Sequence, residues 1–193
     1  MCGAPTRRRF LVSGLALLGL SACGTAPEPP VAEMPVLPPL PDRRRLVLVH
    51  AQSGERVDAV YADAGRYIPA VLAQVNRLLR DRNTGEVAPI DPLVLDFLWD
   101  LLFRTGMPQG TEVHVTSGFR SAATNAKLVA QNRGAGRESF HLQGRALDFR
   151  VPLLPGPALA EIAKTMQRGG AAFYPTSGHT HIDVGPVRTW RTR

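Results

Sequence analysis

Three short stretches of the chain concentrate side chains able to do chemistry: Ser117-Gly118-Phe119-Arg120, Ser139 to Phe149 (S-F-H-L-Q-G-R-A-L-D-F) and Ser177 to Gly185 (S-G-H-T-H-I-D-V-G). Between them they hold His141, His179, His181, Asp148 and Asp183, with Arg120 at hand. Two imidazoles and one carboxylate make a zinc shell, and with water in the fourth tetrahedral position the site is catalytic in type. A zinc ion lowers that water's pKa to about 7 and polarises a scissile carbonyl. A neighbouring base must then take the proton. Each piece also has a plainer reading. A lone histidine is more often structural than a ligand, Asp148 can pair with Arg150, and S-G-F-R can be a strand-to-helix turn with Ser121 as helix cap. The joint occurrence of the three stretches favours the metal site. His50 and His114 lack such company and receive no role.

These residues need strands to aim them. Over Ala146 to Val151, alternation sends Leu147, Phe149 and Val151 one way and Ala146, Asp148 and Arg150 the other. Thr180 to Val184 reads likewise, with Ile182 and Val184 on one face and His181 and Asp183 opposite. His179 joins that second face if the strand starts early. If the apolar faces of both strands meet helices, Asp148 and His181 project into one open cleft. His141, in the loop ahead of its strand, folds back over it.

The remaining elements read as supports. Leu46 to His50 and Val57 to Tyr61 form a hairpin around Gln52-Ser53-Gly54-Glu55. Ile68, Val71, Leu72, Val75, Leu78 and Leu79 recur at helical spacing. Asp91 caps a second helix, with Pro92 at its first position and Gly106 past its end. Glu112 to Thr116 is a strand, Ala122 to Gln131 a helix, Arg133 to Ser139 a Gly-rich polar loop, Ala158 to Arg168 a helix ending at Gly169-Gly170, and Ala171 to Tyr174 a strand. The order predicts an α+β fold: a small mixed or antiparallel sheet with helices packed on one face and the zinc cleft on the other.

Composition narrows the class. In 193 residues the formal charge is +7, but Arg7, Arg8 and Arg9 lie near the N-terminus, and without residues 1–22 the balance falls to +4. The remaining basic residues are dispersed, which argues against nucleic acid. Cys2 and Cys23 are the only cysteines, so any metal in the folded body must use histidine and carboxylate. Thr6 to Leu11 (T-R-R-R-F-L) resembles a twin-arginine export signal and precedes an apolar stretch too short to span a membrane. Leu20-Ser21-Ala22-Cys23 resembles a lipobox, implying cleavage before Cys23 and lipidation of its thiol. Gly24 in place of Asp at the next position leans toward outer-membrane sorting. Seven prolines in residues 24–42 make an extended tether. The expected organisation is a signal peptide over 1–22, a lipidated cysteine and Pro-rich tether over 23–43, and a folded domain carrying the zinc cleft over 44–193.

The motifs S-G-F-R-S…N, S-x-H-x-x-G-x-A-x-D-F and H-I-D-x-G-P-x-R-x-W occur in order over about residues 44 to 193. As a set they resemble the murein endopeptidase K-like zinc peptidases, related to D-alanyl-D-alanine carboxypeptidases and the hedgehog zinc domain. The resemblance implies one zinc per chain on His141, Asp148 and His181. It implies that Arg120 binds and polarises a substrate carbonyl or carboxylate, and that Ser139 orients substrate or the His141 loop. The implied reaction is LD-endopeptidase hydrolysis of diaminopimelate–diaminopimelate cross-links in wall peptides, by a monomer held at the cell envelope through its lipid. Some relatives carry a catalytic Glu three residues before the last zinc histidine; here that position is Gly178. His179 and Asp183 are the candidate bases. A carboxypeptidase releasing D-Ala, or an inactive zinc-containing wall-binding module, are the alternatives.

Overall fold

Alternating apolar residues build a sheet whose apolar rungs run from strand to strand. The computed structural model describes residues 39–131 and 136–190. The expected export signal, Cys23 and the tether up to residue 38 lie outside the described residues, as do residues 132–135 of the expected polar loop. Strands β1 (Arg44–His50), β2 (Arg56–Asp63), β3 (Arg66–Tyr67), β4 (Glu112–Ser117), β5 (Ala146–Arg150), β6 (Gly170–Tyr174), β7 (His179–Asp183) and β8 (Arg188–Thr189) form one sheet in the order β3-β2-β1-β4-β5-β7-β6-β8. It is mixed, as expected: β1 runs parallel to β4 and β6 to β8, and the other neighbours are antiparallel. The two-residue strands β3 and β8 carry no alternation to read and lengthen the sheet beyond expectation.

Register places like with like. Leu48 lies opposite Val113, Val115 opposite Phe149, and Leu147 opposite Ile182, which also faces Ala171. All of these are buried in one core. Helix α2 (Pro92–Arg104) packs on β1 and β7, and α4 (Gly156–Thr165) on β6 and β7, while α1 (Pro69–Leu78) lies against β2. Asp91 caps α2 by accepting from Leu93 N at 3.0 Å, with Pro92 in its first turn. Val94, Leu95, Phe97, Leu98 and Leu101 are fully enclosed, and burying each contributes roughly 1.5–3 kcal/mol. The α2 face also buries Asp96 and Asp100, and both have partners. Tyr61 and Tyr67 hydroxyls donate to Asp96 at 2.8 and 2.7 Å and Arg44 pairs with it at 3.0 Å, while Arg104 and Arg168 hold Asp100.

Helix α4 departs from expectation at both ends. It starts at Gly156 because Pro157 fits a first turn, and it stops at Thr165 rather than Arg168. Gln167 takes φ 51°, a left-handed backbone that no helix continues. Helix α3 (Ala122–Ala130) is capped by Ser121, which accepts from Thr124 N at 3.2 Å.

Asp81 anchors the entry to α3. Its Oδ2 accepts from Ser121 N at 2.7 Å and its Oδ1 from Asn83 N at 2.8 Å. Burial pushes this carboxyl up from its ordinary 3.8, but hydrogen bonds from Ser121 and Asn83 outweigh that and hold it at about 2. A depressed carboxylate stabilises the fold above its unfolded pKa, and this is lost as pH falls toward the folded value. Asp81→Asn is therefore expected to lower unfolding free energy by about 2 kcal/mol at pH 7. Urea titrations should show the gap to wild type closing between pH 4 and 2. A gap independent of pH would remove ionisation from the account.

Candidate metal centre

Asp148 sits mid-strand in β5, directly opposite His181 on β7, which in turn lies opposite Ala172 on β6. A bulge in β4 between Val115 and Ser117 brings Ser117 across from Asp148. Strand β7 begins at His179, one residue earlier than its apolar pattern required, so His179, His181 and Asp183 share a face. His141 arrives from a 3-10 turn, Phe140–Gln143, that the sequence did not announce. Ser139 starts this turn by accepting from His141 N at 3.4 Å, and Gly144 ends it at φ 65°.

The three candidate ligands are buried and converge. His141 Nε2 lies 3.3 Å from Asp148 Oδ2, and His181 Nδ1 lies 2.7 Å from Asp148 Oδ1. One donor atom from each falls within 4.8 Å of the others. Ligand atoms on a tetrahedral zinc ion at about 2.0–2.1 Å stand roughly 3.3 Å apart, so the cluster is near the required size.

Partners on the far side set the imidazoles. His141 Nδ1 is 2.7 Å from the Gly118 carbonyl, which can only accept, so Nδ1 carries a proton and Nε2 is the nitrogen left to face Asp148 and to serve as the ligand atom. His181 Nε2 lies 3.0 Å from Asp183 Oδ2, which likewise leaves Nδ1 for the cluster. Burial pushes the His181 imidazole down, but Asp148 and Asp183 outweigh it and raise it to about 9. Burial pushes the Asp148 carboxyl up, yet His141 and His181 hold it well below the usual carboxylate range. A cation at this point replaces the imidazole protons as the positive partner of Asp148, and the donor set suits zinc.

The S-G-F-R turn supports this arrangement through its backbone. Arg120 N donates to His141 O at 3.0 Å and Phe119 N to Leu79 O at 2.8 Å. A Cβ at Gly118 would stand 2.6 Å from Leu79 Cβ and 2.9 Å from Leu79 O, both closer than real contacts allow. Gly118→Ala is expected to cost about 1–3 kcal/mol in a urea melt. It should also weaken metal binding, because the carbonyl that orients His141 must move. Unchanged zinc affinity in Gly118→Ala would separate the turn from the cluster.

Arg120 reaches the same cleft, with Nη2 3.3 Å from Ser117 Oγ and 3.7 Å from Asp148 Oδ2, and Nη1 3.3 Å from Asn125 Oδ1. His179 Nε2 stands 3.6 Å from Asp148 Oδ1, its Nδ1 is 2.8 Å from Ser177 Oγ, and its ring stacks on Tyr174 at 4.7 Å. Burial lowers the His179 imidazole below 6.5. Asp183 differs: its side chain has no exposure and is enclosed by Arg188, Gly170 N, Gly185 N and His181. The cleft has a volume of about 430 Å³, and Arg120, Ser139, Tyr174, His179 and Trp190 are among its lining residues. Sequence reading did not single out Tyr174 or Ser177; their positions before and beside H-x-H were the available signal. His50 and His114 lie elsewhere, against Ser53 and Glu112.

A sequence profile of the family described as peptidoglycan L,D-endopeptidase MepK matches residues 39–190. The chain is 36% identical over 186 residues to the peptidoglycan L,D-endopeptidase MepK of Escherichia coli strain K12, covering 95% of this chain and 96% of that protein. It is 33% identical over 151 residues to the probable peptidoglycan L,D-endopeptidase MepK of Haemophilus influenzae, covering 78% and 81% respectively.

Proposed function

This chain belongs to the peptidoglycan L,D-endopeptidase MepK family, and on that premise we propose that it is a zinc metallopeptidase hydrolysing the LD cross-links between peptidoglycan peptides. The observation that carries the metal assignment is the convergence of His141, Asp148 and His181, with both imidazoles oriented by acceptors outside the cluster. Zinc bound by these three would supply Lewis-acid polarisation of the scissile carbonyl and acidify a water molecule.

The chain's own residues do the rest. Arg120, its side chain only 11% exposed beside Asp148, binds the substrate carbonyl or carboxylate and stabilises the charge that develops there. His179 is the general base: its Nε2 faces the cluster, its Nδ1 shares a hydrogen bond with the Ser177 hydroxyl, and burial keeps the ring neutral at pH 7. Asp183 is the weaker candidate for that role, because its oxygens are already used by Arg188, two backbone N–H groups and His181. It orients His181 instead. Ser139 holds the turn that carries His141.

Upstream, the domain reading is a signal over 1–22 and a Pro-rich tether over 23–43 ahead of the catalytic body from 44 to 193. Twin-arginine export and lipidation at Cys23 would hold a monomer in the cell envelope, facing its wall substrate. The test is zinc analysis of the full chain coupled to digestion of purified muropeptides. Cross-linked dimers falling to monomers is the expected result. Release of free D-Ala would instead make it a carboxypeptidase, and a zinc-loaded chain that binds wall without cutting it would make it a binding module.

A further inference from the structure

Arg188 and Trp190 stand beside the cluster without a part in the reaction as described. Arg188 meets Asp183 with both arms of its guanidinium, Nη1 2.8 Å from Oδ1 and Nη2 2.7 Å from Oδ2. That carboxylate has no exposure; Gly170 N and Gly185 N also donate to its Oδ1, and its Oδ2 lies 3.0 Å from the His181 ring. The guanidinium also lies over two rings, 4.8 Å from the Phe140 ring centroid and 5.0 Å from that of Trp190. Phe140 directly precedes His141 in its turn, and the Trp190 ring meets His181 edge-on at 5.4 Å. Trp190 Nε1 further donates to Tyr174 Oη at 3.2 Å, and Tyr174 stacks on His179. One side chain on β8 thus contacts the segments that carry His141 and His181.

We infer that Arg188 is a positioning residue for the metal centre, acting through Asp183 on His181 and through Phe140 on the His141 turn. The physical reason is that His181 offers its lone pair at Nδ1 only while an acceptor holds the N–H at Nε2. Asp183 is that acceptor, and a carboxylate this deeply buried needs a fixed cation. A bidentate arginine fixes it in plane as well as in charge. Lysine would supply the charge but neither the two-armed geometry nor a planar group to lie over Phe140 and Trp190.

The inference rests on the zinc-centre reading, and the experiment separates the two. Zinc affinity of the full chain is measured by competition with a chromogenic chelator, alongside circular dichroism to follow folding. Arg188→Ala is expected to bind zinc about 10–100-fold more weakly, with Arg188→Lys recovering only part of the loss. Asp183→Asn should show a similar loss, and Arg188→Ala in the Asp183→Asn background should add no more than about twofold. Wild-type affinity in Arg188→Ala, or losses that multiply in the double variant, would overturn the role of Arg188. Should Arg188→Ala fail to fold, Arg188→Lys decides in the same two backgrounds: a loss of about tenfold that vanishes with Asp183→Asn is expected, and wild-type affinity refutes it. A wild-type chain without measurable zinc affinity would instead refute the metal centre itself.

Discussion

His181→Ala leaves the full chain without tightly held zinc and lowers cross-link hydrolysis by about a thousandfold or more. Polarisation by a bound divalent ion is worth several kcal/mol, and each ~1.4 kcal/mol is tenfold in rate. His181 is the ligand candidate whose two ring nitrogens both face carboxylates, Asp148 at 2.7 Å and Asp183 at 3.0 Å. Removing the ring therefore takes a donor from the ion and a shared partner from two buried acids. Leaving buried charges uncompensated costs about 3–5 kcal/mol, so some loss of stability accompanies the loss of metal. Asp148→Asn is the companion variant, since it removes the carboxylate charge at nearly constant shape. Metal content by mass spectrometry, muropeptide digestion and circular dichroism on both variants check the prediction. Stoichiometric zinc and full rate in His181→Ala would take this residue out of the shell.

The second large effect has the opposite signature. His179→Ala keeps its zinc and loses about 100- to 10,000-fold in kcat, the usual contribution of a positioned general base. The geometry separates it from the ligand set: its Nε2 stands 3.6 Å from Asp148, and Tyr174 and Ser177 hold the ring from behind. Zinc affinity and kcat measured on the same preparation distinguish the two behaviours. Full activity in His179→Ala, with zinc retained and rate lost in Asp183→Asn, would transfer the base role to Asp183. The enclosure of Asp183 argues for the reverse, with Asp183→Asn weakening metal binding first.

Much of this site was legible because strand alternation is a local property. Leu147 and Phe149 flank Asp148, and Ile182 separates His181 from Asp183, so each polar residue had to face away from the core. The structure places Leu147, Phe149 and Ile182 in one core and brings His141, Asp148 and His181 together on the other side. The caps of α2 and α3 were equally local, since Asp91 and Ser121 serve donors two and three residues ahead. Less visible were features that depend on distant partners. The 3-10 turn carrying His141 exists because Ser139 and Gly144 close it and because Gly144 O meets Asp91 N at 2.9 Å. The early end of α4 follows from one backbone angle at Gln167.

The sequence by itself determined the inventory and its facing: which residues carry ligand atoms, and which strand face each occupies. Tertiary structure alone decided their partners. Asp148 meets His181 only because β5 and β7 pair in that register across 33 residues of chain, and Arg188 reaches Asp183 only because β8 closes beside β6. Periodicity is written in neighbours a few residues apart. Register and strand order are settled by the free energy of the whole core, where a one-residue slip would turn Asp148 and His181 into the apolar core and Leu147 and Ile182 toward the cleft.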